Sequence, residues 1–135
     1  MTRRYYVPDL PAGGGLVSLS DEEALHAARV MRAKVGDRVE LFDGKGAQAD
    51  ATIDAIDRRS CSLQASNTRE VDRELKTQID MLIALPKPER AKEMIERLTE
   101  IGVQRVVPVV CEHTQRPPSD SVLTKLRRIV IESSK

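Results

Sequence analysis

The chain has 135 residues, with 22 lysines and arginines against 21 aspartates and glutamates, two histidines, two cysteines and three aromatic residues. That length suits one ordinary domain or two small ones, and 40% hydrophobic with 32% charged residues is a globular balance, not a disordered one. A net charge of +1 excludes a domain that holds polyanions by bulk charge: residues 1–70 carry ten Lys/Arg and eleven Asp/Glu, and residues 71–135 carry twelve and ten. No apolar run approaches the roughly 18 residues of a membrane span, and the N-terminal Met-Thr-Arg-Arg-Tyr-Tyr-Val-Pro-Asp has no apolar targeting core. Cys61 and Cys111 form neither a disulfide framework nor a CxxC pair. A reducing, cytoplasmic setting is the expectation, with no membrane and no metal partner.

In chain order, residues 4–8 (Arg-Tyr-Tyr-Val-Pro) predict a short strand stopped by Pro8. Pro11-Ala-Gly-Gly-Gly15 follows as a turn; without a preceding strand or a following Gly-Lys-Ser/Thr it does not read as a phosphate cradle. Ser20-Asp-Glu-Glu23 spells a capping box, in which Ser20 accepts from the Glu23 amide and the Glu23 side chain reaches back. The helix it opens is expected to run to about Met31, with Ala24, Leu25, Ala28 and Met31 on one stripe. From Gly36 the period becomes two. Val39 and Leu41 alternate with Glu40 and Phe42, Asp43-Gly-Lys-Gly46 predicts a hairpin turn, residues 47–56 alternate small and polar, and Cys61, Leu63 and Ala65 share one face of a further strand. Short antiparallel strands with one helix in about 70 residues predict a small β-barrel or curled sheet over residues 1–70.

Residues 66–75 are polar and aperiodic, and are expected to be the linker. Beyond them a strand is predicted over Lys76–Leu85, broken by Pro86 and Pro88. A helix over Glu89–Ile101 with Gly102 as its C-cap comes next, then a second buried strand over Val103–Val110 and another amphipathic helix from about Ser119. Strand–helix–strand–helix over 76–135 is the pattern of a parallel α/β unit. Two parallel strands with two helices cannot cover both sheet faces, so the expectation is the front part of a longer protein, or a sheet completed by a partner.

Arg29 and Arg32 lie one turn apart on the predicted first helix and Lys34 follows; with Arg3, Arg4 and Lys45 they could form a cationic strip for RNA phosphates. A solvated helix face accounts for the same charges. Lys87 and Arg116 each follow the carboxyl end of a predicted strand, where open α/β sheets place ligands. His26 could contact a base or tie the helix to the barrel. Tyr5 and Tyr6 point to opposite faces of a strand, one toward the core and one available for stacking. Glu100 could assist deprotonation of a weak N–H acid, or sit on a solvated helix face. Cys111 and His113 make a lone C-x-H, too few ligands for zinc.

Three blocks in order resemble one family. They are Arg4-Tyr-Tyr with His26-Ala-Ala-Arg-Val-Met-Arg32 and Gly36-Asp37; Val39-Glu-Leu-Phe-Asp-Gly44; and Ala84-Leu-Pro-Lys87 through Glu93–Glu100 to Ile101-Gly-Val103, Val107-Pro-Val-Val and Glu112-His-Thr-Gln-Arg116. Over essentially the whole chain they resemble the bacterial RsmE-type methyltransferases. The resemblance implies a PUA-like barrel followed by a SPOUT methyltransferase domain, a homodimer, and S-adenosylmethionine-dependent methylation of N3 of a uridine in 16S ribosomal RNA. It shifts the balance toward RNA contact for the candidates Arg4, Arg29, Arg32, Lys34, Lys45, Lys87 and Arg116, against solvated charges and, for Lys87, a loop cap. The family's cofactor sits in a C-terminal trefoil knot built on Gly-Pro-Glu-Gly-Gly and Leu-Arg-x-Glu-Thr-Ala motifs. Neither occurs in this chain, nor does the usual glycine at Pro88 or leucine at Ile101. The expectation is therefore the barrel plus the first βαβα part of the methyltransferase domain with the knot missing, catalytic residues unassigned, and no S-adenosylmethionine bound by this chain alone. The competing expectations are a non-catalytic RNA-binding or ribosome-assembly module and a protein-interaction scaffold.

Overall fold

The computed structural model describes residues 2–72 and 75–135, and the chain divides near residues 73 and 74 into two compact units. In the first unit the strands are β1 (Arg3–Tyr6), β2 (Gly15–Ser18), β3 (Arg38–Phe42), β4 (Ala47–Ile56), β5 (Cys61–Ala65) and β6 (Arg69–Glu70). They form one sheet in the order β1-β3-β4-β5-β2, with β6 on β4. The hairpin read from Asp43–Gly46 joins β3 to β4, with Leu41 opposite Ala49 and Val39 opposite Ala51. Period-two patterning delivers Val39, Leu41, Ala49, Ala51, Ile53, Leu63 and Ala65 to one buried face, with Tyr5 and Val17 beside them.

The structure adds one strand and changes two expectations. β2 went unread in the sequence, although it pairs antiparallel with β5. β1 lies parallel to β3, not antiparallel, which the long crossover through β2 and the helix permits. The hydrogen-bonded order ends at β1 and β2, which do not pair among the described residues, so of the barrel and the curled sheet expected, the ladder takes the unclosed form. The segment 66–75 is not all linker: Arg69 and Glu70 pair with Gln48 and Ala47; Arg73 and Glu74 lie outside the described residues.

The helix also differs. Ser20 caps α1 (Asp21–Leu25), its Oγ accepting from the Glu23 amide at 3.3 Å. The Glu23 carboxylate does not turn back; it is buried and accepts from the Tyr6 amide at 3.1 Å. From His26 to Val30 the chain makes a π-helical turn, closed by the Met31 amide on the His26 carbonyl at 3.0 Å. This wider turn shifts the inward face, so Glu23, Ala24 and Ala27 are buried while Leu25, expected on the stripe, is exposed.

The second unit contains β7 (Asp80–Ile83) and β8 (Arg105–Pro108), paired in parallel, with α2 (Pro88–Glu100) and α3 (Asp120–Ser133) packed on each other. Pro88 takes the first helical position, where its missing N–H costs nothing. Gly102 at φ +84° ends α2 in a Schellman motif: the Val103 amide donates to the Leu98 carbonyl at 3.0 Å and the Gly102 amide to Thr99 at 3.1 Å. The strands are shorter than 76–85 and 103–110, and half-buried where full burial was expected. Among the described residues of this unit only Ala91 and Ile95 are buried hydrophobics; one pair of strands and two helices leave sheet surface uncovered within it.

Candidate nucleic-acid interface

The turn after α1 concentrates free cations. Arg29, Arg32 and Lys34 are all exposed and none has a side-chain partner among the described residues. Arg32 does not lie on the helix with Arg29, as the sequence suggested; it follows the π turn with φ +49°, the one non-glycine residue in the left-handed region among the described residues. The Ala33 amide on the Ala27 carbonyl (3.0 Å) and the Lys34 amide on Asp37 Oδ2 (3.0 Å) hold this turn.

The remaining members of the expected strip are placed differently. Arg3 is paired with Asp37 at 2.8 Å. Arg4 is half-buried, its Nε 2.7 Å from Glu40 and its guanidinium 4.8 Å from the Phe42 ring centroid. Its charge is balanced inside the sheet because Arg4 and Glu40 are register partners. Lys45 is exposed in the hairpin at the Phe42 end of β3, whereas the 29–34 turn enters β3 at Arg38. The length of β3, roughly 15 Å at 3.3 Å per residue, separates them, so the structure does not bring Lys45 to that cluster. Lys87 is the exposed N-cap of α2, and Arg116 is exposed in the segment after β8. Because β7 and β8 are parallel, both connections leave the same end of that sheet.

The other candidates resolve as follows. Tyr5 is the core tyrosine, 1% exposed, and burial pushes its phenol above the usual range. Tyr6 packs on Phe42 with ring centroids 5.7 Å apart. His26 is half-buried at the start of the π turn. Glu100 is exposed and ion-paired with Arg97 at 2.8 Å. Cys111 and His113 are exposed, and no group of metal-ligating side chains occurs among the described residues. Sequence reasoning missed Arg38, an exposed cation on the outer sheet face with no side-chain partner among the described residues. Its only sequence signal is the period-two alternation that places it opposite in facing to buried Val39.

Two family models match in succession. One for an RNA methyltransferase PUA domain covers residues 19–66, and one for an RNA methyltransferase domain covers residues 73–135. Ribosomal RNA small subunit methyltransferase E of Synechocystis is 30% identical over 118 residues, 87% of this chain and 38% of that protein. The chain belongs to the ribosomal RNA small subunit methyltransferase E family.

The same relative from Mycobacterium tuberculosis is 31% identical over 98 residues, 73% of this chain and 37% of its own length. The chain thus spans less than two fifths of these curated relatives. Among solved structures, a "probable rRNA-methyltransferase" from Porphyromonas gingivalis is 36% identical with a TM-score of 0.81, matching 98% of this chain and 54% of that one. The methyltransferase E of Neisseria gonorrhoeae, solved bound to S-adenosyl methionine, shares the fold at a TM-score of 0.88, 22% identity, 98% of this chain and 55% of that one. A methyltransferase E site for that cofactor needs polar groups for a base, a ribose and a charged amino acid. The groove between α2, β8 and α3 in the second unit, about 270 Å³, is lined mainly by Ile95, Val103, Val106, Leu123, Leu126 and Val130. No carboxylate lines it to take ribose hydroxyls, and the Thr99 hydroxyl is spent on the Ile95 carbonyl at 2.8 Å. With Gln104 and Arg127 as its other polar members, the lining of this groove does not fit the cofactor.

Proposed function

We propose that the protein to which this chain belongs methylates N3 of a uridine in 16S ribosomal RNA, with S-adenosylmethionine as the donor. In this reading the chain supplies the RNA-gripping sheet unit and the opening βαβα part of the catalytic domain, and the cofactor knot lies outside it. The carrying observation is the succession of a PUA-type unit and a methyltransferase-type unit in one chain. The free Arg29–Lys34 turn supports phosphate contact, and Lys87 and Arg116 would add cations beside the substrate at the strand ends. Site of action in the cytoplasm on the small ribosomal subunit, and a homodimeric assembly, complete the reading.

Deleting the gene and probing 16S RNA by primer extension tests it directly, because a methyl on N3 blocks Watson–Crick pairing and arrests the polymerase. The arrest should vanish in the deletion strain and return on complementation with the full reading frame. Persistence of every arrest in the deletion strain overturns the reading. For the 135-residue chain alone, calorimetry is expected to show no saturable S-adenosylmethionine binding. A non-catalytic RNA-binding role for this chain has one observation in its favour, the aliphatic lining of the groove in the second unit; complementation by the 135-residue chain alone, with no methyl mark restored, would establish it.

A further inference from the structure

The outer face of the first unit's sheet carries a groove of about 600 Å³ that the sequence did not reveal. Strand register builds it. Arg38 pairs with Thr52, and Thr52 with Gln64, so three outward side chains stand in one row across β3, β4 and β5. Thr2 continues the lining at the β1 side, and Ser66 and Asp50 border the row. Arg38, Thr52 and Gln64 are exposed, and none has a side-chain hydrogen bond or ion pair among the described residues.

The charge of this groove is set by which groups are already paired. Asp50 would make it neutral, but the Arg69 guanidinium spans its carboxylate, Nη1 to Oδ2 at 2.9 Å and Nη2 to Oδ1 at 3.4 Å. Glu40, one row along, is held between Arg4 and Arg69. Arg38 is therefore the uncompensated charge of the groove, and a polyanion is the complementary occupant. A threonine and a glutamine beside it offer donors and acceptors of the kind that read base edges. No aromatic residue lines the groove, so recognition there works by hydrogen bonding and not by stacking.

We propose that this row binds a single-stranded segment of the substrate RNA, Arg38 holding a phosphate while Thr52 and Gln64 contact base edges. The proposal rests on the RNA-directed reading above and adds a second contact surface to the Arg29–Lys34 turn. The probe is a fluorescently labelled single-stranded fragment of 16S RNA, titrated with the full chain by anisotropy at several salt concentrations. Arg38→Ala should weaken binding about tenfold and lower the log–log salt slope by about 0.7. Gln64→Ala should weaken binding about fivefold with no change in slope, as a neutral contact does. Amide shifts in the parent chain on adding RNA should include residues 38, 52 and 64. If the parent binds while both variants stay within twofold and those amides do not move, the groove proposal fails and the RNA-directed reading stands. If the parent shows no RNA affinity, the groove proposal fails, while the methylation reading falls only if the primer-extension arrest persists in the deletion strain.

Discussion

Arg32 holds its side chain on a backbone that glycine would adopt at lower cost. A left-handed conformation costs a non-glycine residue on the order of 1 kcal/mol, and at φ +49° Arg32 meets that cost while its guanidinium has no partner among the described residues. Arg32→Gly therefore should leave the melting temperature unchanged or higher, yet lower the salt slope of RNA binding by about 0.7. An unchanged slope in that variant removes Arg32 from the interface. Burial also marks two titratable groups. Desolvation raises the phenol of Tyr5 and the thiol of Cys61. For Tyr5 the folded value exceeds the unfolded one, so its neutral form favours folding below about pH 10 and that contribution is lost as pH rises through the folded value. Ultraviolet titration should show one tyrosine ionising late, and a thiol reagent should label exposed Cys111 while Cys61 reacts only on unfolding.

At the scale of elements, close backbone approach decides which substitutions matter. Gly14 turns at φ +70°, and a Cβ there would meet the Ala65 and Ser66 backbone at 2.6 Å. Since backbone cannot swing aside as a side-chain tip can, Gly14→Ala should destabilise the first unit by more than about 2 kcal/mol, read by chemical denaturation. Ser20→Ala, which removes one cap bond, should cost about 1 kcal/mol. Legibility in the sequence follows the same physics. Asp43–Gly46 and the alternation around Val39 and Leu41 announced their hairpin because burial on one face repeats over several residues. β2 did not, because only Val17 of Gly15–Ser18 is buried, too little for a period. The π turn stayed hidden because over five residues its period is indistinguishable from that of an ordinary helix. Arg4 looked available until register set it beside Glu40, and Arg38 became visible as a candidate only when register aligned it with Thr52 and Gln64.

Over the whole molecule, the buried hydrophobics are concentrated in the first unit. The runs at 76–85 and 103–110 read as buried because patterning records what a strand tolerates, not what covers it. Amide hydrogen exchange on the full chain should therefore be slowest in β3, β4 and β5 and markedly faster in β7 and β8; equal protection in the two sheets would contradict this.

Glu23 acts at this scale too. In a parallel strand alternate amides face one neighbour; the Val7 amide donates to Phe42 in β3, so the Tyr6 amide faces outward. The Glu23 carboxylate occupies that outward amide, so an intruding strand finds no donor there to register on. A side chain from the helix thus works as a stopper against sheet-to-sheet polymerisation at one rim, leaving β2 as the rim where another chain could add. Glu23→Ala should pull this stopper and produce aggregates detectable by light scattering, while Glu23→Gln, which keeps an acceptor oxygen, should scatter as the parent does.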